Sequence, residues 1–172
     1  SSKSKKKRQN PDHEFSQSLL SFYYNCGMYE KCIQMTNEIP NPRLKTIIML
    51  MKSIREREKK RWMKEKEIEQ EKETKNIDRD RGFENCLDLF KKYFINAEKK
   101  SSTFDSSIIP IEPIYILFTM VWSAPTTRRE IMIKEHLIPI LRRYPKEELK
   151  SLLLNYKAIQ KKCGQILQGY LS

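Results

Sequence analysis

Glycine, histidine and long apolar runs are scarce in this chain of 172 residues. Its four glycines are few for a fold with many tight turns, and the abundant Leu, Ile, Met, Lys and Glu favour helix. No glycine-rich loop follows a strand-like segment, so nucleotide binding is unsupported. No apolar run reaches the ~18 residues of a membrane span, and the start of the chain has no apolar signal-peptide core. The sequence predicts an all-helical protein with no membrane partner.

Groups that commonly perform chemistry are also few. The two histidines, His13 and His136, have no cysteine or carboxylate partner at a recognisable spacing. The cysteines show no C-x-x-C spacing and lie in apolar helical stripes, which indicates reduced, buried packing residues of an intracellular protein. They are Cys26, Cys32, Cys86 and Cys163. We predict a non-enzymatic protein with no catalytic residues, metal site, cofactor or small-molecule substrate.

Apolar residues recur at helical spacing in about six to seven segments. Gly27 follows the first segment, where a left-handed residue ends a helix. Pro139 lies inside a later segment and should kink or restart that helix near Ile138. We predict a disordered basic tail over residues 1–12 and a single all-helical domain over residues 13–172. The abrupt basic start, and the end just after an apolar stripe, indicate a domain excised from a longer protein.

A charged segment at residues 55–81 interrupts the apolar pattern. Residues 52–81 carry twelve basic and nine acidic side chains, so most of this stretch should face solvent. We expect one long charged helix that leaves the core near Arg57 and projects or frays before Asp78.

A short segment occurs twice in the chain. Residues 29–35 return as residues 83–89, with an aromatic residue, a glutamate, a cysteine and apolar residues at matching places and a glycine shortly before each copy. Internal similarity of this kind is typical of stacked helical hairpins.

The first copy lies in a stretch, residues 15–48, that resembles one unit of a tetratricopeptide or pentatricopeptide repeat. The residues that carry the resemblance are Leu19, Leu20, Tyr23, Gly27, Tyr29, Cys32, Pro40 and Pro42. Residues 82–98 match as a lone second helix. The tetratricopeptide resemblance implies peptide or protein binding on a concave face, and the pentatricopeptide resemblance implies single-stranded RNA.

The chain departs from a regular array of either family. The two copies lie 54 residues apart, whereas ~34 is expected, and residues 113–172 contain no copy. Base-by-base reading of RNA needs several regular units, which this chain lacks. Two architectures stay open: a short irregular array of helical hairpins, or an ordinary helical bundle.

The formal net charge is +12, and five basic residues stand among the first ten positions. Four of them, Lys5, Lys6, Lys7 and Arg8, fit a nuclear-import signal. A solubilising tail or a linker explains them equally well. We predict a nuclear location, with the cytoplasm as the alternative.

The leading functional hypothesis is a protein-interaction scaffold of a nuclear assembly, which binds a protein partner through a groove between helices. Large aromatic and sulfur-containing side chains dominate such contacts, and the candidates are Trp62, Met63, Tyr156 and Tyr170. The alternative is an RNA- or DNA-binding helical domain, because a basic surface attracts phosphate backbones. Its candidate residues are Arg57, Lys59, Lys60, Arg61, Arg128 and Arg129.

Overall fold

The computed structural model describes residues 11–35, 38–68, 80–95, 110–155, 161 and 168–169. Within these ranges the protein is all helical, with seven helices and no strand, so the predicted fold class is confirmed. The helices are α1 (Pro11–Asn25), α2 (Tyr29–Met35), α3 (Leu44–Ile68), α4 (Arg81–Phe90, continued by a π-helical turn Lys91–Ile95), α5 (Ile111–Ser123), α6 (Thr126–Met132, a π-helical turn Ile133–Leu137, then Ile138–Leu141) and α7 (Lys146–Asn155). None of these helices is both long and apolar enough to cross a membrane.

The long helix α3 is the centre of the fold, because α1, α2, α4 and α5 all pack against it. This arrangement is a bundle around one helix. The buried face of α3 begins with four apolar side chains at helical spacing, Ile47, Leu50, Met51 and Ile54. It continues one and two turns later with Glu58 and Trp62, which are 1% and 0% exposed.

The expectation that α3 leaves the core near Arg57 is wrong. Because Glu58 and Trp62 follow Ile54 at intervals of four residues, they extend the same buried face beyond Arg57. The abundant charges of this stretch occupy the rest of the helix circumference. The packed part of α3 therefore reaches at least to Trp62.

The first two helices form a hairpin that closes at Gly27. This glycine has a φ of +74°, which side chains other than glycine rarely adopt. Its N–H donates to the Tyr24 carbonyl over 3.0 Å, and the Met28 N–H donates to the Tyr23 carbonyl over 2.8 Å. These two bonds form a Schellman motif, so the predicted left-handed end of α1 is confirmed.

Helix α5 supplies much of the core behind α3. Its buried residues cover more than half of the helix circumference and include Ile114, Ile116, Leu117, Phe118, Met120 and Val121. An ion pair of 2.8 Å joins Lys52 of α3 to Glu112 in the first turn of α5. The Arg55 guanidinium also donates to the Thr119 hydroxyl over 3.3 Å. These polar contacts fix α5 against the central helix.

Helix α6 changes its hydrogen-bonding pattern just before Pro139. A π-helical turn occupies Ile133–Leu137, and α-helix restarts at Ile138 with Pro139 in its first turn. A proline has no N–H to donate and its ring would collide with the preceding turn of a regular helix. The predicted restart near Ile138 is confirmed.

Candidate functional site

Both copies of the repeated segment pack against α3. The first copy forms α2 and the second opens α4, and both helices contact the central helix. Cys32 and Cys86, at the centres of the copies, are completely buried, and burial raises the pKa of both thiols. Cys32 lies close to Ser53 of α3, and Cys86 lies within electrostatic range of Arg55. The interpretation of these two cysteines as packing residues is confirmed.

The other two cysteines do not share this environment. Cys26 is exposed, so its predicted burial is wrong. It directly follows the last residue of α1, Asn25, and the backbone turns there into Gly27, which keeps its side chain away from the core. Cys163 lies outside the described residues.

A cleft of 690 Å³ opens where the two copies and the second half of α3 meet. The first copy and its turn contribute Gly27, Tyr29 and Glu30, and the second contributes Gly82 and Asn85, with Arg81 just before it. Helix α3 contributes Arg57, Glu58, Lys60, Arg61 and Lys64. The two similar segments therefore form two walls of one cavity.

The cleft is strongly basic, because its lining holds five cationic side chains and two carboxylates. Arg57 and Arg61 are one helical turn apart, and so are Lys60 and Lys64, so α3 presents four cations on one face. Arg81 adds a fifth cation at the start of α4. Anions approaching this concave surface meet several positive charges at once.

One of the two carboxylates, Glu58, belongs to the packing of the cleft floor. Its side chain is 1% exposed and pairs with the Arg57 Nε at 3.4 Å and with the Arg61 guanidinium. A Cβ atom at position 82 would overlap the Glu58 carboxyl group, so any larger residue there requires the Glu58 side chain to move. Glu58 thus lies beside the first turn of α4, where the helix dipole favours negative charge.

The other carboxylate, Glu30, reaches across the mouth of the cleft from α2. Its Oε1 lies 3.3 Å from the Arg57 Nη1, and its side chain is 63% exposed. Lys60 covers one face of the neighbouring Tyr29 ring, with its Nζ 5.0 Å from the ring centroid. The Tyr24 ring packs against Tyr29 in a T-shaped arrangement with 5.7 Å between the centroids. Burial, followed by the charge of Glu56, raises the pKa of the Tyr29 hydroxyl.

The predicted protein-binding residues differ in how exposed they are in the structure. Trp62, expected on an exposed helix, is completely buried, because it continues the apolar face of α3 into the core. Met63, the next residue, is 59% exposed and stays available at the surface. Tyr156 and Tyr170 lie outside the residues whose side chains are described.

Three of the residues predicted for nucleic-acid contact line the cleft, namely Arg57, Lys60 and Arg61. Lys59 is exposed on α3 but is not among the lining residues. The basic segment formed by Lys5, Lys6, Lys7 and Arg8 lies outside the described residues.

The remaining pair, Arg128 and Arg129, makes contacts that hold the fold together. Arg128 forms an ion pair of 2.7 Å with Asp80, the residue before α4. Arg129 stacks over the Trp122 ring at 4.1 Å and donates to the carbonyls of Trp122 and Ala124. This pair is therefore committed to structural contacts at the start of α6.

Metal-ligating side chains do not gather in the part of the chain that the structure describes. No group of three or more His, Cys, Asp or Glu side chains there is arranged to hold a metal ion. His136 lies edge-on to the Phe83 ring, with 5.8 Å between the ring centroids. The basic cleft is the site that the geometry singles out.

Sequence reasoning identified three of the seven charged residues that line this site. The other four, Glu30, Glu58, Lys64 and Arg81, were not candidates, although a signal for two of them exists in the sequence. Glu58 follows Ile54 by four residues on the buried face of α3, and Lys64 follows Lys60 by the same interval on the cleft face. Arg81 joins them only through the packing of α4 on α3, which spacing along the chain does not reveal.

Comparison of the chain with protein-family models, with curated proteins and with solved structures finds no match in any of the three. The resemblance to tetratricopeptide and pentatricopeptide repeats stays a prediction from the sequence. Function has to be inferred from the cleft.

Proposed function

We propose that this protein is a non-enzymatic interaction module that binds an acidic segment of a protein partner in the cleft between α2 and α4. The observation that carries the proposal is the charge of the lining, in which five cations face two carboxylates. A concave site with this excess of positive charge favours a negatively charged ligand.

The distribution of charge along α3 supports the same function. The pairs Arg57 with Arg61 and Lys60 with Lys64 place like charges one turn apart, which destabilises a helix by ~0.2 to 0.5 kcal/mol per pair. Glu58 compensates the two arginines from the cleft floor. An acidic ligand would offset the repulsion between the two lysines, so binding would stabilise this part of α3.

The size of the cleft fits a short segment of chain. Its volume of 690 Å³ lies within the ~300 to 1,000 Å³ of typical ligand pockets. Met63 is exposed on α3 outside the lining, three positions after the lining residue Lys60, and offers an apolar contact to a ligand that extends past Lys60. The partner segment would combine acidic residues with an apolar neighbour.

A nucleic-acid ligand is the second candidate, and the net charge of +12 favours it. Single-strand binding usually adds aromatic rings that stack on bases. Trp62 is buried and cannot stack on a base, and Lys60 already covers one face of the Tyr29 ring. Arg128 and Arg129 are engaged in structural contacts and do not extend the basic surface. These contacts favour the protein ligand.

The proposal is tested by titrating fluorescein-labelled Asp/Glu-rich peptide into the full chain and following its anisotropy. The double variant Lys60→Gln/Lys64→Gln should weaken binding roughly tenfold, since each exposed ion pair contributes up to ~1 kcal/mol. The control Lys45→Gln/Lys59→Gln removes the same charge from exposed positions of α3 outside the cleft lining. Equal weakening by both variants would refute a ligand bound in the cleft.

We also propose that the protein acts in a nuclear assembly, because the segment Lys5 to Arg8 is a compact basic cluster. Changing Lys5, Lys6, Lys7 and Arg8 together to Gln should move a fluorescent fusion of the whole chain from the nucleus to the cytoplasm. A wild-type fusion found in the cytoplasm would refute the nuclear location, and a variant that stays in the nucleus would show that Lys5 to Arg8 is not the import signal.

A further inference from the structure

Helix α1 carries apolar side chains on its outer side as well as toward the core. Its core side is fixed by Leu20, which is completely buried. On the outer side Phe15 is 69% and Phe22 58% exposed, and the partly buried Leu19 lies between them. The exposed Cys26 continues this line, because its N–H still donates to the Phe22 carbonyl over 3.0 Å, as in a helix. We name the four residues Phe15, Leu19, Phe22 and Cys26 the outer stripe.

The spacing of the outer stripe is that of a contact between two helices. Its members follow one another at intervals of four, three and four residues. Apolar residues that alternate between these two intervals form the seam along which two helices pack, whereas a helix that faces a wider core needs a broader apolar face. Because Phe15 and Phe22 are exposed, no helix of the described ranges completes this seam.

The outer stripe is the centre of a larger apolar area. Seven large apolar side chains are exposed in the part of the chain that the structure describes, and four of them lie on α1 or beside its ends, namely Phe15, Phe22, Met28 and Leu44. Met28 follows the turn that closes α1. The Thr46 hydroxyl donates to the Gln17 side chain, and Leu44 and Phe15 each precede this contact by two residues, so they lie at the same end of α1. Clustering of exposed apolar side chains marks an interaction surface.

The charge around the outer stripe indicates which partner fits it. Two molecules that each carry a net charge of +12 repel one another over most of their surfaces. Residues 15–29, however, contain no charged side chain, although 33% of the chain is charged. Helices that select a different partner commonly do so through charged residues beside the seam, and the exposed residues beside this one, Ser18 and Asn25, are uncharged. These observations favour a second copy of the same chain.

We propose that α1 pairs with α1 of a second copy in antiparallel orientation and forms a twofold-symmetric dimer. Dimers that use the same surface on both subunits are the commonest oligomers. The proposal goes beyond the acidic-ligand function, since no member of the outer stripe lines the cleft. A dimer would present two clefts, so a partner with two acidic segments would bind it with higher avidity than a partner with one.

The sizes of the side chains favour the antiparallel orientation. An antiparallel pair brings Phe15 opposite Cys26 and Leu19 opposite Phe22, so that a larger side chain meets a smaller one at every level of the seam. A parallel pair would bring each residue opposite its own copy, with two phenylalanines facing each other at two levels and two cysteines at a third.

The charge ahead of α1 favours the same orientation. Five basic residues stand among the first ten positions, directly before the helix. A parallel pair would bring these two basic segments together. In an antiparallel pair the starts of the two helices are more than ~20 Å apart, at 1.5 Å per residue, which exceeds the screening length of ~8 Å at physiological salt.

The first test is the mass of the full chain, measured by sedimentation equilibrium between ~5 and ~500 µM. One helix pair buries less than the ~1,600 Å² of a standard interface, so a weak dimer is expected. The mass should rise from the 20.7 kDa of one chain toward twice that value within this range. Phe15→Ser/Phe22→Ser should raise the dissociation constant of the dimer at least tenfold, because buried aromatic side chains dominate interface energetics.

The matched control is Met63→Ser/Ile131→Ser. It removes two apolar side chains of similar exposure, 59% and 52%, outside the outer stripe and should leave the dissociation constant unchanged. Thermal unfolding followed by circular dichroism verifies that both double variants are folded.

An introduced thiol tests the orientation. In the antiparallel pair, Phe15→Cys places a thiol opposite Cys26 of the second copy, where the oxidant diamide can take the two thiol hydrogens and leave a disulfide. A covalent dimer should then appear on a non-reducing gel, and adding Cys26→Ala to the same chain should abolish it. The wild type should form no dimer through Cys26, because the two copies of this residue would lie ~16 Å apart along the helices, too far for a disulfide.

Three results would overturn the proposal. A full chain that stays monomeric at 500 µM refutes the dimer, whether another part of the chain or a different protein covers the outer stripe. A dimer that is weakened equally by the stripe variant and by the control is held by another surface. A disulfide through Cys26 in the wild type contradicts the antiparallel orientation.

Discussion

Gly82 has no side chain, and this allows α4 to pack closely against α3 at the floor of the cleft. It lies in the first turn of α4 against the Glu58 carboxyl group, and a Cβ atom there would overlap that group. Gly27, near the other copy of the repeat, has a different role, because it adopts a φ of +74° in open space. The first glycine allows close packing and the second allows a left-handed turn.

Replacing Gly82 with Ala should destabilise the protein by ~1 to 3 kcal/mol, as overpacking of a buried contact does. The measurement is urea unfolding followed by circular dichroism. Gly169→Ala is the control, since a Cβ atom at that position would meet nothing within 4 Å and alanine favours helix. The packing argument fails if Gly82→Ala is as stable as wild type.

Under the proposed function, Glu30 would compete with the acidic ligand for Arg57, because its Oε1 lies 3.3 Å from the Arg57 Nη1 at the cleft mouth. Glu30→Gln should therefore increase affinity for the acidic peptide by roughly twofold to fivefold, which corresponds to the free energy of one exposed ion pair. Glu84 occupies the same place in the second copy but does not line the cleft, so Glu84→Gln should have no effect. Weaker binding by the Glu30 variant would contradict this assignment, and anisotropy titration measures both.

At the scale of elements, α3 joins two kinds of surface in one helix. Its first half packs apolar side chains against α1, α2 and α5, and its second half keeps Trp62 in the core while presenting cations to the cleft. One helix can combine a buried surface and a basic surface because it presents separate faces to the core and to the solvent. The cleft is therefore anchored directly to the centre of the fold.

Adjacent substitutions test this division of α3. Trp62→Ala should cost ~3 to 5 kcal/mol of unfolding free energy, because the ring is completely buried. Met63→Ala, at 59% exposure, should change it by less than ~0.5 kcal/mol. Urea unfolding of the two variants measures the difference, and similar values for both would show that α3 does leave the core before Trp62.

The sequence was sufficient for the elements whose signals are local. Helical periodicity indicated the all-α class, Gly27 marked the end of α1, and Pro139 marked the interruption of α6. The predicted path of α3 is wrong because a glutamate in a charged stretch is expected to face solvent, whereas Glu58 is buried. Its burial depends on two arginine partners and on the missing side chain of Gly82, and the contact with Gly82 joins residues distant in the chain.

At the scale of the whole molecule, buried thiols link stability to pH. Burial raises the pKa of Cys86 and Cys32 in the folded protein above the ~8.5 of an unfolded thiol. Above that pH the unfolded chain releases protons that the folded chain keeps, so unfolding becomes easier. The contribution of these thiols is complete below about pH 8 and falls as pH rises toward the folded pKa.

Cys86→Ala should therefore reduce the loss of stability between pH 7.5 and pH 9.5, whatever it does to stability at pH 7.5 itself. The exposed Cys26 provides the control, and Cys26→Ala should leave that loss unchanged. Urea unfolding at the two pH values measures the loss of stability for the wild type and for each variant. An identical loss in wild type and in the Cys86 variant would contradict the assignment.

The candidate site was only partly predictable at this scale. Arg57, Lys60 and Arg61 were identified from their basic cluster as candidates for nucleic-acid contact, whereas the repeated segment predicted stacked helical hairpins and no part of the cleft. That the two copies face one cavity follows from how α2 and α4 pack on α3. Spacing along the chain carries no information about that packing, so the proposal of an acidic ligand depends on the assembled fold.

The most direct test of the central claim is to record amide NMR spectra of the full chain during titration with the acidic peptide. We expect the largest shifts at the cleft amides of Glu30, Arg61 and Asn85, with those of Lys45 and Arg129 unchanged. Shifts confined to residues outside the lining, or spread evenly over the basic surface, would contradict a specific acidic-ligand site between α2 and α4.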